Sequence, residues 1–137
     1  MTIQNEMVIL WNNGTEKFYL FAISPEKQYN YIIGEPCITV GFAYENQHFK
    51  GRDTFTFFGQ FYKDTLAAIK NTDQSLNGSF RLYDNGSDSD GYVCFHMKNG
   101  KLHVEGRLGA TFSTHSLTFE FEADQTILQP LIGSLTI

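Results

Sequence analysis

Long hydrophobic runs are missing from this sequence of 137 residues. No stretch reaches the ~18 apolar residues that a membrane-spanning helix needs. The N-terminal segment has neither the basic start nor the extended apolar region of a secretory signal peptide. We therefore expect a cytoplasmic protein that does not associate with a membrane.

Recognisable catalytic and metal-binding motifs are missing as well. The sequence contains no GxSxG, HExxH, HxH, GxGxxG or P-loop pattern, so it indicates neither a nucleophile elbow nor a local zinc or phosphate site. The two cysteines, Cys37 and Cys94, lie in apolar segments and form no CxxC motif. Such a pattern is typical of buried free thiols that behave as small hydrophobic residues. We expect no enzymatic activity, no cofactor and no bound metal.

Apolar and aromatic residues, by contrast, are abundant. Hydrophobic residues make up 42% of the chain and aromatic residues 15%, including 13 phenylalanines and seven tyrosines. A chain of this length and composition fits one domain, residues 1–137, around a single packed core. The same aromatic content leaves open an alternative in which a β-sandwich or barrel encloses a small apolar ligand without catalysis.

Charge is distributed unevenly along the chain, whose formal net charge is −5. Residues 1–83 carry eight acids and seven bases, whereas residues 84–137 carry seven acids and three bases. An acidic surface disfavours direct binding of nucleic acid, whose phosphates require basic residues. It favours a basic protein partner, although acidity also serves solubility alone.

Alternation with a period of two residues dominates the sequence and predicts about eight strands. The Asn-Gly pairs at positions 13–14 and 99–100 predict tight hairpin turns, and ENQH at positions 45–48 predicts a third. We expect a mainly β (α+β) fold, with the strands antiparallel in a sandwich or a bent sheet. The predicted strands cover residues 7–11, 17–23, 37–45, 49–58, 79–84, 92–98, 101–108 and 116–123.

Residues 58–71 break this alternation. Five apolar residues recur at helical spacing, which predicts one amphipathic helix packed on the sheet. They are Phe58, Phe61, Tyr62, Leu66 and Ile69.

The end of the chain, residues 124–135, predicts a second, short helical element. Asp124 and Thr126 carry side-chain oxygens that can accept a hydrogen bond from the backbone at its start. Pro130 limits this element to one or two turns.

The segment DNGSDSDG, residues 84–91, has the composition of a calcium loop but not its ligand spacing. If Gly91 takes the place of the EF-hand glycine, Gly86 falls at the first ligand position and Met97 at the twelfth. Neither residue carries a carboxylate, so an EF-hand is excluded. The segment then predicts a polar turn between two strands or, alternatively, a binding edge.

Two pairs of titratable residues are expected on strands of the second half. His96 and His103 flank the predicted turn at 99–100 and are expected to lie near each other, so a metal or acid–base role is an alternative to ordinary sheet positions. Glu120 and Glu122 alternate with two phenylalanines, which directs both carboxylates away from the core.

Four short motifs follow one another between residues 37 and 128. They are Phe-Lys-Gly at 49–51, Leu-Asn-Gly at 76–78, the pattern G-x-h-x-V-x-G (h apolar) at 100–106, and LTFEFEADQTIL at 117–128. In this order the motifs resemble those of the WapI-like immunity proteins of bacterial contact-dependent and polymorphic toxin systems.

The resemblance implies a non-enzymatic inhibitor that forms a 1:1 complex with a cognate toxin domain, usually a nuclease. An RNase or DNase presents basic residues to the phosphates of its substrate, so an acidic inhibitor is able to occupy that site. Toxin contacts are expected on outward strand residues and loops, whereas Asp124 is expected to cap the following turn. The candidate toxin-binding residues are Asp84, Asp88, Asp90, Glu105, Glu120 and Glu122.

Overall fold

The computed structural model describes residues 7–25, 35–86, 89–109 and 115–137. These residues form two four-stranded antiparallel sheets, in each of which the strands follow chain order. The expected mainly β fold is confirmed, and the strand boundaries differ from the predicted ones by at most two residues. The first sheet contains β1 (Val8–Asn12), β2 (Glu16–Pro25), β3 (Cys37–Asn46) and β4 (Lys50–Phe58). The second contains β5 (Gly78–Tyr83), β6 (Tyr92–Lys98), β7 (Lys101–Leu108) and β8 (Leu117–Asp124).

The two sheets face each other in a sandwich-like arrangement. Tyr44 of β3 stacks on Phe119 of β8 at a centroid distance of 4.7 Å. Phe18 of β2 lies 5.5 Å from Phe121 and contacts Phe95 of β6 edge-on at 6.4 Å. These rings occupy the space between the sheets, so a small ligand enclosed there would have to displace them.

The predicted amphipathic helix is confirmed as α1 (Gly59–Ser75), which joins the two sheets. Tyr62 and Ile69 are buried as expected, whereas Thr65 and Thr72 take the other buried side-chain positions. The expected stripe is therefore corrected: Phe58 ends β4, and Phe61 and Leu66 are only partly buried against the core.

The C-terminal element consists of a 3₁₀ turn (Gln125–Ile127) followed by α2 (Leu128–Leu135). The eight residues of α2 form about two turns, in agreement with the one or two turns expected from Pro130. The hydroxyl of Tyr62 donates a hydrogen bond to the carbonyl of Leu135, which fixes α2 on α1. No helix in the described parts of the chain is long and apolar enough to span a membrane.

The turn between β6 and β7 fixes the register on which the candidate site depends. Asn99 and Gly100 have φ values of 52° and 82°, the left-handed conformations of a two-residue hairpin turn. The strands pair without a register shift from Lys98 and Lys101 to Tyr92 and Arg107. The predicted two-residue turn is confirmed.

Two glycines of the short motifs lie where a side chain would not fit. A Cβ on Gly51 would lie 2.7 Å from the Cβ of Leu117, and one on Gly106 would lie 2.5 Å from the carbonyl oxygen of Tyr92. Close packing therefore accounts for glycine at both positions.

Candidate functional site

The outer face of the second sheet brings titratable residues from β6, β7 and β8 together. In each strand they alternate with buried residues, among them Phe95, Val104 and Phe121, so strand parity directs them outward. The register places Glu105 opposite Glu120 in one cross-strand row. The next row holds His96, His103 and Glu122 side by side. We refer to His96, His103, Glu105, Glu120 and Glu122 as the His–Glu cluster.

The two imidazoles of the His–Glu cluster are oriented in the same way. His103 Nδ1 contacts the carboxylate of Glu122, and His96 Nδ1 lies 3.0 Å from Ser79 Oγ. Both Nε2 atoms consequently face Glu105, with distances of 3.9 Å from His103 and 3.6 Å from His96. His103 Nε2 also lies 3.3 Å from a carboxylate oxygen of Glu120.

The carboxylates shift the ionisation of the imidazole between them. The hydrogen bond that the carboxylate of Glu122 accepts from the imidazole raises the pKa of His103; partial desolvation opposes this shift, and the charges of Glu122, Glu120 and Glu105 reinforce it. A protonated His103 offsets part of the repulsion between Glu105 and Glu120, which face each other directly. With three carboxylates around it, the cluster still carries net negative charge.

Acidity is confined to one side of this outer face. Glu120, Glu122 and Asp124 are the outward acids of β8, and Glu105 adjoins them on β7. Basic residues occupy other positions of the same face, namely Arg81, Lys98, Lys101 and Arg107. The charge asymmetry of the sequence therefore becomes an acidic strip along β8 and not a uniformly acidic sheet.

Asp84, one of the expected toxin-binding candidates, has a structural role in the fold. Its side chain is buried, with 6% exposure. One carboxylate oxygen accepts a hydrogen bond from the backbone N–H of Thr56 at 2.6 Å, and the other from that of Ser89 at 3.1 Å. The carboxylate thus ties the loop to β4 and offers little surface to a partner.

Of the two other loop candidates, the structure describes only Asp90. Asp90 is exposed and lines an open groove with Arg81 and Tyr83. Asp88 lies outside the described residues. Of the six candidates, the structure thus brings together Glu105, Glu120 and Glu122.

Asp53 of β4 connects three segments of the chain, a role that the sequence did not indicate. Its carboxylate accepts hydrogen bonds from Ser89 Oγ at 2.8 Å and from the backbone N–H of Gly109 at 2.9 Å. These partners lie 36 and 56 residues along the chain, so no local pattern could have revealed them.

The structural role expected for Asp124 is confirmed. Its carboxylate accepts hydrogen bonds from the hydroxyl of Thr126 at 2.5 Å and from the backbone N–H of Thr126 at 2.9 Å. Both bonds lower the pKa of Asp124, with the hydroxyl bond as the larger cause. The acidic group at the start of the 3₁₀ turn is therefore a cap.

The two cysteines have different environments. Cys37 is buried, as expected, whereas Cys94 is only partly buried and lies in the outward row between Arg81 and Glu105. The expectation of a buried Cys94 is corrected because the residue shares the strand parity of His96, not of its apolar neighbours. Partial burial raises the pKa of the Cys94 thiol.

Comparison of the chain with protein-family models, with curated proteins and with solved structures finds no match. The resemblance to immunity proteins therefore depends on the sequence motifs alone.

Proposed function

We propose that this protein is an immunity protein that binds and neutralises a cognate toxin domain of a contact-dependent inhibition system. The observation that carries the proposal is the convergence of Glu105, Glu120 and Glu122 on one outward strip. Their side chains are 46%, 69% and 74% exposed. Sequence motifs that resemble WapI-like immunity proteins point to the same function.

The acidic strip suits a partner with a basic surface. A nuclease domain holds phosphate through lysine and arginine, so its substrate site attracts a row of carboxylates. Since the field of such a strip also steers diffusion, association should be fast at low salt and slower as salt screens the charges. An RNase or DNase domain is the partner class that this chemistry favours.

The sheet also gives the acidic strip a rigid support, which favours it as a binding surface. The strip lies on paired strands whose opposite face is packed against the first sheet through Phe119 and Phe121. Outward side chains of such strands can vary with little effect on the core, which is what discrimination between cognate and non-cognate toxins requires. Specificity would then lie in β7 and β8, while the inward residues preserve the fold.

Co-expression with the toxin domain encoded immediately upstream tests the proposal. We expect the host to survive and a 1:1 complex to co-purify. The double variant Glu120→Lys/Glu122→Lys should remain folded but lose the complex and the protection. Neither rescue nor complex with the wild-type protein would overturn the proposal.

A matched control distinguishes an effect of the acidic strip from an effect of the net charge of the protein. Asp64 is an exposed acid of α1 whose carboxylate accepts a hydrogen bond only from Gln60 of the same helix among the bonds described. Asp64→Lys should protect as well as the wild-type chain, whereas Glu120→Lys should weaken binding. Equal effects of the two reversals would mean that net charge, and not the strip, governs the interaction.

A further inference from the structure

We propose that the His–Glu cluster binds a divalent transition-metal ion of the zinc class through His103, Glu105 and Glu120, with His96 beside them. This inference goes beyond the proposed function and does not depend on it. It concerns the ion-binding capacity of one surface of the isolated chain.

The spacing of the ligand atoms supports an ion between them. One ligand atom each from His103, Glu105 and Glu120 lies within 4.8 Å of the others. A tetrahedral ion with bonds of ~2.0–2.1 Å holds its ligand atoms about 3.3 Å apart. The 3.3 Å between His103 Nε2 and the Glu120 carboxylate already matches this separation. The 3.9 Å between His103 Nε2 and Glu105 needs only a small side-chain movement.

The orientation of the imidazoles is that of metal ligands. A ligating histidine usually donates its other ring N–H to a carboxylate or another acceptor, which fixes the tautomer and exposes a lone pair to the ion. The carboxylate of Glu122 supplies such an acceptor for His103 Nδ1. The hydroxyl of Ser79, which can accept or donate, lies 3.0 Å from His96 Nδ1. The Nε2 atoms of both histidines therefore face the carboxylate of Glu105.

Electrostatics provides an independent reason for a cation at this position. Glu105 and Glu120 are directly opposite each other on neighbouring strands, an arrangement that repulsion makes unfavourable. One imidazolium compensates only part of the charge of three carboxylates. A divalent ion would compensate more of it and would engage both opposed residues at once.

The donor set indicates the class of ion. Imidazole nitrogen suits zinc, copper, iron and nickel, whereas magnesium and calcium prefer sites made of oxygen alone. Open recesses of about 370 Å³ and 530 Å³ border the cluster, the first lined by Glu105 and Glu120 and the second by His96, His103 and Glu122. An ion from solvent therefore has direct access.

Calorimetric titration of Zn²⁺ into the untagged full-length chain, without any toxin, tests the proposal. We expect saturable binding of one ion per chain. His103→Gln should weaken binding by more than about tenfold, because it removes a ligand that the protein orients. His48→Gln is the matched control, since His48 is exposed in the turn between β3 and β4 and should leave binding unchanged.

Two further variants test the metal site if His103→Gln disturbs the fold. Glu120→Gln replaces an exposed carboxylate ligand with a weakly coordinating amide. Glu122→Ala removes only the partner of His103 Nδ1, so it should weaken binding by about 10–100-fold. Imidazole NMR signals of His96 and His103, but not of His48, should shift on addition of Zn²⁺. Absence of saturable binding, or equal binding by wild type, His103→Gln and Glu120→Gln, would overturn the proposal.

Discussion

The loop that follows β5 and the strand pair β7–β8 use acidic side chains in opposite ways. In the loop, Asp84 turns its carboxylate inward and accepts hydrogen bonds from two backbone N–H groups. On the strands, Glu120 and Glu122 are exposed and their carboxylates face an imidazole. Negative charge in a sequence therefore does not indicate by itself whether a residue binds a partner or supports the fold.

The difference arises from where backbone groups need partners. β4 is an edge strand of the first sheet, and an edge exposes N–H groups that no neighbouring strand satisfies. Asp84 accepts from the N–H of Thr56, and Asn85 Oδ1 accepts from that of Phe58 at 3.0 Å. Glu105 lies on β7, which is paired on both sides. Glu120 and Glu122 lie on the edge strand β8, but their side chains project from the outer face of the sheet toward His103 and not toward the backbone of the edge.

The largest expected effect on stability is in the loop. Asp84→Ala should lower the free energy of unfolding by about 1–3 kcal/mol, because it leaves buried backbone donors without their acceptor. Asp84→Asn, which keeps one carbonyl oxygen, should lose less. Urea unfolding monitored by circular dichroism measures both. If Asp84→Ala is as stable as the wild-type protein, the contrast between loop and strand acids fails.

A smaller loss is expected at the end of β8. Asp124→Ala should cost about 1 kcal/mol through loss of the cap. Since the pKa of Asp124 is lowered in the folded state, its contribution is present above the unfolded pKa and is lost as pH falls through the folded value. Thermal unfolding from neutral to acidic pH should show the two proteins converging. A difference that persists in acid would contradict the capping role.

The contact between His103 and Glu122 should make stability depend on pH with the opposite sign. In chelator-treated protein, NMR titration should give His103 a pKa above its ordinary value of 6.5, and Glu122→Gln should lower that pKa. Stability from this contact is fully present below the unfolded pKa and is lost as pH rises through the folded one. A pKa of His103 that Glu122→Gln leaves unchanged would exclude the contact in solution.

The smallest effect on stability is expected at the surface of β8. Glu120→Lys should change the free energy of unfolding by no more than about 0.5 kcal/mol, as is usual for exposed positions. The same urea unfolding experiment measures this change. A loss as large as that of Asp84→Ala would mean that Glu120 supports the fold.

Local patterns predicted most of this architecture because its strands are short, alternating and joined by specific turns. The Asn99–Gly100 turn fixes the pairing of β6 with β7, which places His96 opposite His103. The hydrogen bonds between the first sheet and the loop were not predictable, since Thr56 and Asp84 are 28 residues apart. Within a hairpin, strand parity and turn type are enough to predict which side chains are neighbours. Between distant segments, only the folded chain shows which carboxylate accepts from which N–H.

The most direct test of the account compares one strand acid with one loop acid in partner binding. Association of the chain with the domain encoded immediately upstream, the proposed toxin, should be measured kinetically at low and high salt for wild type and for Glu120→Lys and Asp90→Lys, which change charge equally. We predict that Glu120→Lys slows association by about tenfold at low salt and that Asp90→Lys has little effect. Slower association of Asp90→Lys with wild-type behaviour of Glu120→Lys would contradict the assignment of the binding surface to β8.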